Sequence, residues 1–107
     1  MRRFRLEDMV GGWFIGNFQP SVIRTEQFEA TVRKYSTGDT EPKHFQKSAT
    51  EITVIIEGHA RMGDQILESN DIIVLNPGDS YDFEAITEVT LVAIKFPSLP
   101  DDKILDL

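Results

Sequence analysis

The sequence predicts an all-β fold, a sandwich or barrel of short antiparallel strands. Two observations predict it. Short apolar, β-branched runs recur along the chain, closed by glycine, proline or asparagine. No stretch carries an apolar helical period over three turns, and no repeat or low-complexity segment intervenes. At 107 residues the chain makes one domain.

The strands follow in order. Residues 11–18, GGWFIGNF, are aromatic and glycine-flanked. Residues 28–35, FEATVRKY, alternate, with Phe28, Ala30 and Val32 on one face and Glu29, Thr31 and Arg33 on the other. Residues 51–58, EITVIIEG, are apolar on both faces, and Gly63-Asp64 just beyond reads as a hairpin turn. The apolar run of 71–79, DIIVLNPGD, stops at Asn76-Pro77-Gly78; SYDFEAI (80–86) and TLVAIKF (90–96) complete the set. Pro97 and Pro100 are expected to end the regular pattern. The chain therefore divides into an N-terminal strand segment (1–27) packing on the barrel or on a partner, a core (28–96) and a C-terminal extension (97–107).

Strands apolar on both faces must be covered on both. One side of 51–57 and of Ile72–Leu75 can line a barrel interior. The other needs a second sheet, the N-terminal segment or a second subunit, so a homodimer is expected. Composition narrows the rest. With no cysteine there is no disulfide framework, thiolate site or cysteine nucleophile. No apolar run is long enough to span a membrane, and MRRFRLEDMVGGWF has no signal-peptide core, so a soluble cytoplasmic protein is expected. The net charge is −7, with ten acids against Lys95 and Lys103 from Asp64 onward. Such a chain is a poor match to a nucleic-acid backbone. Arg2, Arg3 and Arg5 are read as a solvated N-terminal cluster.

One constellation carries chemistry. Gly38, five residues, His44, one residue, Gln46, four residues, Glu51, six residues, Gly58 is a spaced set of polar residues bounded by glycines. Gly78, two residues, Tyr81 follows in NPGDSYDFEA (76–85). His44 and Gln46 project to one face of an extended segment, and Glu51 opens the next strand and can join them. This spacing resembles the two motifs of the cupins. Gln46 stands where that family usually has its second histidine, and Tyr81 where it has its third. The resemblance covers residues 28 to 96 and implies an antiparallel cupin β-barrel, a double-stranded β-helix or jelly roll.

It also implies a site of His44, Gln46, Glu51 and Tyr81, with Tyr81 brought across the barrel. An imidazole and a carboxylate suit Fe, Mn, Ni or Zn. A neutral amide and a phenol of ordinary pKa about 10 are poor ligands, so a weakened, loosely held divalent-metal site is expected. The leading expectation is a protein that binds a small molecule, such as a carbohydrate, in the barrel. Two alternatives use the same residues. One is a metal-independent sugar isomerase or epimerase with His44 as base and Tyr81 as acid facing each other over the substrate. The other is a sensing or accessory module without catalysis. Arg24, Arg33, Lys34 or Lys95 would have to reach the pocket mouth for a phosphorylated substrate. His59 is expected in solvent, Asp82 and Glu84 on a solvated acidic rim, and Trp13, Phe28, Phe45 and Phe83 in the core or at an interface.

Overall fold

The computed structural model of the protein describes all 107 residues. Two 3-10 turns at Leu6–Asp8 and Val10–Gly12 precede eleven strands. These are β1 (Trp13–Gly16), β2 (Ile23–Arg24), β3 (Glu29–Tyr35), β4 (Thr40–Gln46), β5 (Thr50–Glu57), β6 (Ala60–Met62), β7 (Gln65–Leu67), β8 (Ile72–Leu75), β9 (Tyr81–Ala85), β10 (Val89–Phe96) and β11 (Lys103–Leu105). One sheet runs β2-β1-β3-β10-β5-β8, the other β11-β4-β9-β6-β7. The two sheets face each other around a single core, and no helix is long and apolar enough to cross a membrane.

β3, β10, β5 and β8 of the larger sheet pair antiparallel, with Val92 opposite Val32 on one side and Val54 on the other and Ile52 opposite Val74, while β1 pairs β2 in parallel at the edge. The dry core sits at one end of the barrel. Ile55, Ala60, Leu67, Phe83, Ala85, Val89, Leu91 and Ala93 are buried there against Tyr35, Met62 and Ile73. Gly58 closes β5 with φ of 95°, and a Cβ on it would collide with the Glu88 carbonyl oxygen, so any larger residue would push the β9–β10 turn away.

Three elements differ from expectation. β4 includes TEPKHFQ, which is mostly polar and contains Pro42. Its pairing with β9 shifts register between Glu41 and His44, the bulge that accommodates a residue lacking an N–H. The pattern does not end at Pro97: β11 forms beyond both prolines and pairs with β4, Lys103 opposite Gln46 and Leu105 opposite His44. Asp82 and Glu84 keep solvated side chains, as expected, but are paired to a cation that the sequence reading did not assign them. Arg61 binds Asp82 through both carboxylate oxygens, at 3.1 and 3.2 Å, and reaches Glu84 at 3.4 Å, joining β6 to β9.

Candidate functional site

The inward faces of three neighbouring strands change character in step. Along β10 they read Val89, Leu91, Ala93, Lys95; along β5, Ile55, Thr53, Glu51; along β3, Tyr35, Arg33, Thr31, Glu29. The register aligns these series, so that Lys95 stands opposite both Glu29 and Glu51. One end of the barrel is therefore packed, and the other opens as a cavity of about 390 Å³ lined by charged and apolar side chains together. That volume is in the range of small-molecule sites.

The facing sheet supplies the other wall. His44, Phe45 and Gln46 from β4 and Tyr81 and Phe83 from β9 line it. The bulge at Pro42 turns His44, and the His44 Nδ1 lies 2.7 Å from the Pro42 carbonyl oxygen. A carbonyl only accepts, so Nδ1 is the donor to it, and in the neutral imidazole the lone pair is then on Nε2. Gln46 is only 5% exposed, and its Nε2 has no hydrogen-bond partner in the protein. Its backbone carbonyl accepts from the Gly78 N–H at 2.9 Å, which ties the two sequence motifs together. A buried amide donor without an acceptor costs about 1–3 kcal/mol, so this position is unfavourable unless an occupant completes it.

All four residues singled out in the sequence line this one cavity. Their arrangement differs from expectation in one respect. Tyr81 is not across the barrel from His44; the two are direct cross-strand neighbours on β4 and β9. It is Glu51, on the opposite sheet, that faces them. Of the cations considered for the mouth, Arg33 and Lys95 line the cavity, whereas Arg24 and Lys34 are exposed outside it.

Sequence reasoning missed much of the polar lining. Glu41 is gripped by Arg33 at 3.3 Å, by the Tyr35 hydroxyl at 3.3 Å and by Lys103 of β11 at 3.5 Å. Burial, above all, pushes the Tyr35 hydroxyl well above its ordinary value and keeps it a donor to Glu41. Burial also raises the Glu29 carboxyl, with Lys95 and a hydrogen bond from Ser98 opposing. The Lys95 ammonium lies 4.8 Å from the centre of the Trp13 ring. The signal was the alternation of β3, whose polar face points inward.

The donor set decides how far a metal fits. His44 Nε2 and the Glu51 carboxylate are good ligands, Gln46 and Tyr81 poor ones. No group of three or more histidine, aspartate or glutamate side chains is placed to hold a metal ion. The residues thus fit at most a loosely held divalent ion.

Comparison with solved structures agrees with this fold. An uncharacterised conserved protein with a double-stranded β-helix domain from Klebsiella pneumoniae superposes with a TM-score of 0.72 at 18% identity, over 97% of this chain and 90% of that one. KdgF from Halomonas sp. gives 0.65 at 17% identity, over 73% and 76%. A sugar phosphate isomerase from a cupin superfamily, from Silicibacter pomeroyi, gives 0.61 at 18% identity, over 65% and 50%. The protein has the cupin fold. No family model and no curated protein matches the sequence. Within the cupin barrel, the cavity at the polar end is where the two motifs converge.

Proposed function

We propose that this cupin binds a small molecule, a carbohydrate, in the open end of its barrel. The observation that carries the reading is the buried, unpartnered Gln46 amide on the wall of a cavity of about 390 Å³ that mixes polar and apolar side chains. A sugar hydroxyl both accepts and donates. It can complete Gln46 on one wall and Glu51 on the other, while the ring lies against Phe45 or Trp13. A structural neighbour being a sugar phosphate isomerase supports the carbohydrate class. Titration calorimetry against a panel of neutral monosaccharides tests it. Saturable binding that weakens at least about tenfold in Gln46→Leu is expected, since the hydrogen bond of a buried amide is lost. Equal affinity in the variant, or no binding by any sugar, would refute it.

A divalent ion, where bound, would be held by His44 Nε2 and Glu51 and would polarise a ligand oxygen. With so few good donors its retention is expected to be weak. Elemental analysis of untagged protein should give sub-stoichiometric metal, and His44→Ala should remove what remains. A full equivalent of one transition metal after dialysis would show that the donor set has been undervalued.

A proton-transfer reading draws on a separate observation, that His44 and Tyr81 are cross-strand neighbours lining the same cavity, with His44 Nδ1 already engaged by the Pro42 carbonyl. The two would address a substrate from the same side, His44 taking a proton and Tyr81 giving one. Loss of turnover in both His44→Ala and Tyr81→Phe would support it, and turnover by His44→Ala would end it.

We also propose a homodimer through the outer face of the larger sheet. Val32, Val92, Val54 and Ile72 form one cross-strand row and Ile94, Ile52 and Val74 the next. Ile72 is 66% exposed and Val74 55%. At one end of the face Thr90 lies between Lys34 and Glu57, opposite charges that a two-fold axis can pair. Sedimentation should show a dimer that Val74→Lys dissociates; wild-type protein monomeric at micromolar concentration would refute this.

A further inference from the structure

The charges of the cavity specify more than a neutral sugar, and this step rests on the carbohydrate reading above. Most of the charged lining is already partnered. Glu41 is held by Arg33, Tyr35 and Lys103, and Asp82 by Arg61. Asp79 accepts from the Asn76 N–H in its own turn.

What remains is the row of Glu29, Lys95 and Glu51 across three strands. Lys95 makes no ion pair with either neighbour; its ammonium sits on the Trp13 ring instead. Glu29 has only a long hydrogen bond from Ser98 Oγ, at 3.4 Å. Glu51 has no hydrogen-bond or ion-pair partner at all, although it is half-buried on the cavity wall. Within this row two carboxylates face one ammonium, while the cationic surplus of the lining, Arg33 and Lys103, is gathered on Glu41 instead, so the half-buried Glu51 carboxylate is left without a local counter-charge.

Across the cavity the Gln46 Nε2 lacks an acceptor. A ligand that satisfies both walls carries a cationic donor at one end and an acceptor oxygen at the other. We propose that the site selects amino sugars, with the ligand ammonium on Glu51 and Glu29 and a ring hydroxyl accepting from Gln46. A uronate or hexose phosphate held in the same orientation would set its anion against the Glu51 carboxylate and be disfavoured there.

The test compares matched pairs by titration calorimetry at neutral pH and low ionic strength: glucosamine with glucose, galactosamine with galactose, mannosamine with mannose, and glucuronate as the anionic probe. In at least one configuration the amino sugar should bind about tenfold tighter than its parent, the effect of a hydrogen bond to a charged group. Glucuronate should bind more weakly than glucose, and Glu51→Gln should shrink the amino-to-neutral ratio towards one. If neutral sugars bind as tightly as their amino counterparts, the selectivity is refuted while the carbohydrate reading stands. If no sugar of any pair binds, both fall. An undiminished ratio in Glu51→Gln would also overturn the assignment.

Discussion

The segment that most determines the geometry of the site lies outside the cupin motifs. Asp102 is 8% exposed, and its carboxylate accepts from the Ser48 N–H at 2.9 Å and from the Ala49 N–H at 2.9 Å. Its backbone carbonyl accepts from the Lys47 N–H at 2.8 Å. A single residue thus holds the whole turn between β4 and β5, the strands that carry Gln46 and Glu51. Asp102→Ala keeps the carbonyl bond and removes the other two. Ala49 is buried, so its orphaned N–H cannot turn to water and costs the larger share, about 2 kcal/mol; Ser48 is exposed and costs about 1 kcal/mol. The expected loss is therefore about 3 kcal/mol, or roughly 15 °C in melting temperature for a domain of this size. Asp102→Asn should lie between wild type and alanine, because one oxygen still accepts while the amide nitrogen faces a donor. Urea unfolding at neutral pH measures both, read from the midpoint at unchanged slope. Hydrogen exchange should quicken first at Ser48 and Ala49. A loss under about 1 kcal/mol in Asp102→Ala would refute the reasoning and mean that the turn holds itself.

Three further outcomes follow from the same geometry. Gln46→Leu should be neutral or stabilising by about 1 kcal/mol in urea unfolding, since it removes an unsatisfied buried amide, even as sugar binding is lost; a clear destabilisation would mean the amide is satisfied. Ile55→Ala, at a position 0% exposed, should cost about 3–4 kcal/mol by the same measurement, with a loss under about 1.5 kcal/mol placing the core elsewhere. Glu29 has its folded pKa raised above the ordinary 4.5 by burial. Its contribution is therefore fully present below the unfolded value and is lost as pH rises through the folded one, because the unfolded chain ionises first. Relative to Glu29→Gln, wild type should lose stability as pH rises above 4.5; a difference constant with pH would contradict the burial of that carboxyl.

The fold was legible because glycine spacing and β-branched runs are local signals. β3, β5, β8, β9 and β10 lie close to where those runs place them. β4 and β11 were not legible. β4 is polar because its inward side chains face a cavity and its outer edge is completed by β11, so neither burial nor alternation marks it. β11 forms because backbone pairing to β4, Asp102 under the turn and Asp106 on Ser80, at 2.8 Å, hold a three-residue strand that no propensity would predict. The four motif residues line one cavity, His44, Gln46 and Glu51 from the consecutive strands β4 and β5 and Tyr81 from β9. Their relative sides were not legible, because the pairing of β4 with β9 rather than their separation in sequence decides which residue faces which.

The same reasoning explains why the site's charges escaped notice. Glu29, Thr31 and Arg33 alternate with Ala30 and Val32, and an isolated strand with that pattern would turn its apolar side to the core. Here the apolar side faces outward and the polar side inward, and the pairing partners enforce it: Lys95 and Glu51 are the cross-strand neighbours of that row. An inverted strand is favourable only if two conditions hold together. The cavity must contain something that satisfies the inward polar groups, and the outward valines and isoleucines must be covered by something other than water. In the proposed function the ligand and the second subunit are therefore linked requirements of one sequence feature. If the proposed dimer forms, Val74→Lys, by dissociating it, should destabilise the sheet that carries Glu29, Lys95 and Glu51 and so weaken ligand binding from the opposite face, as titration calorimetry would measure.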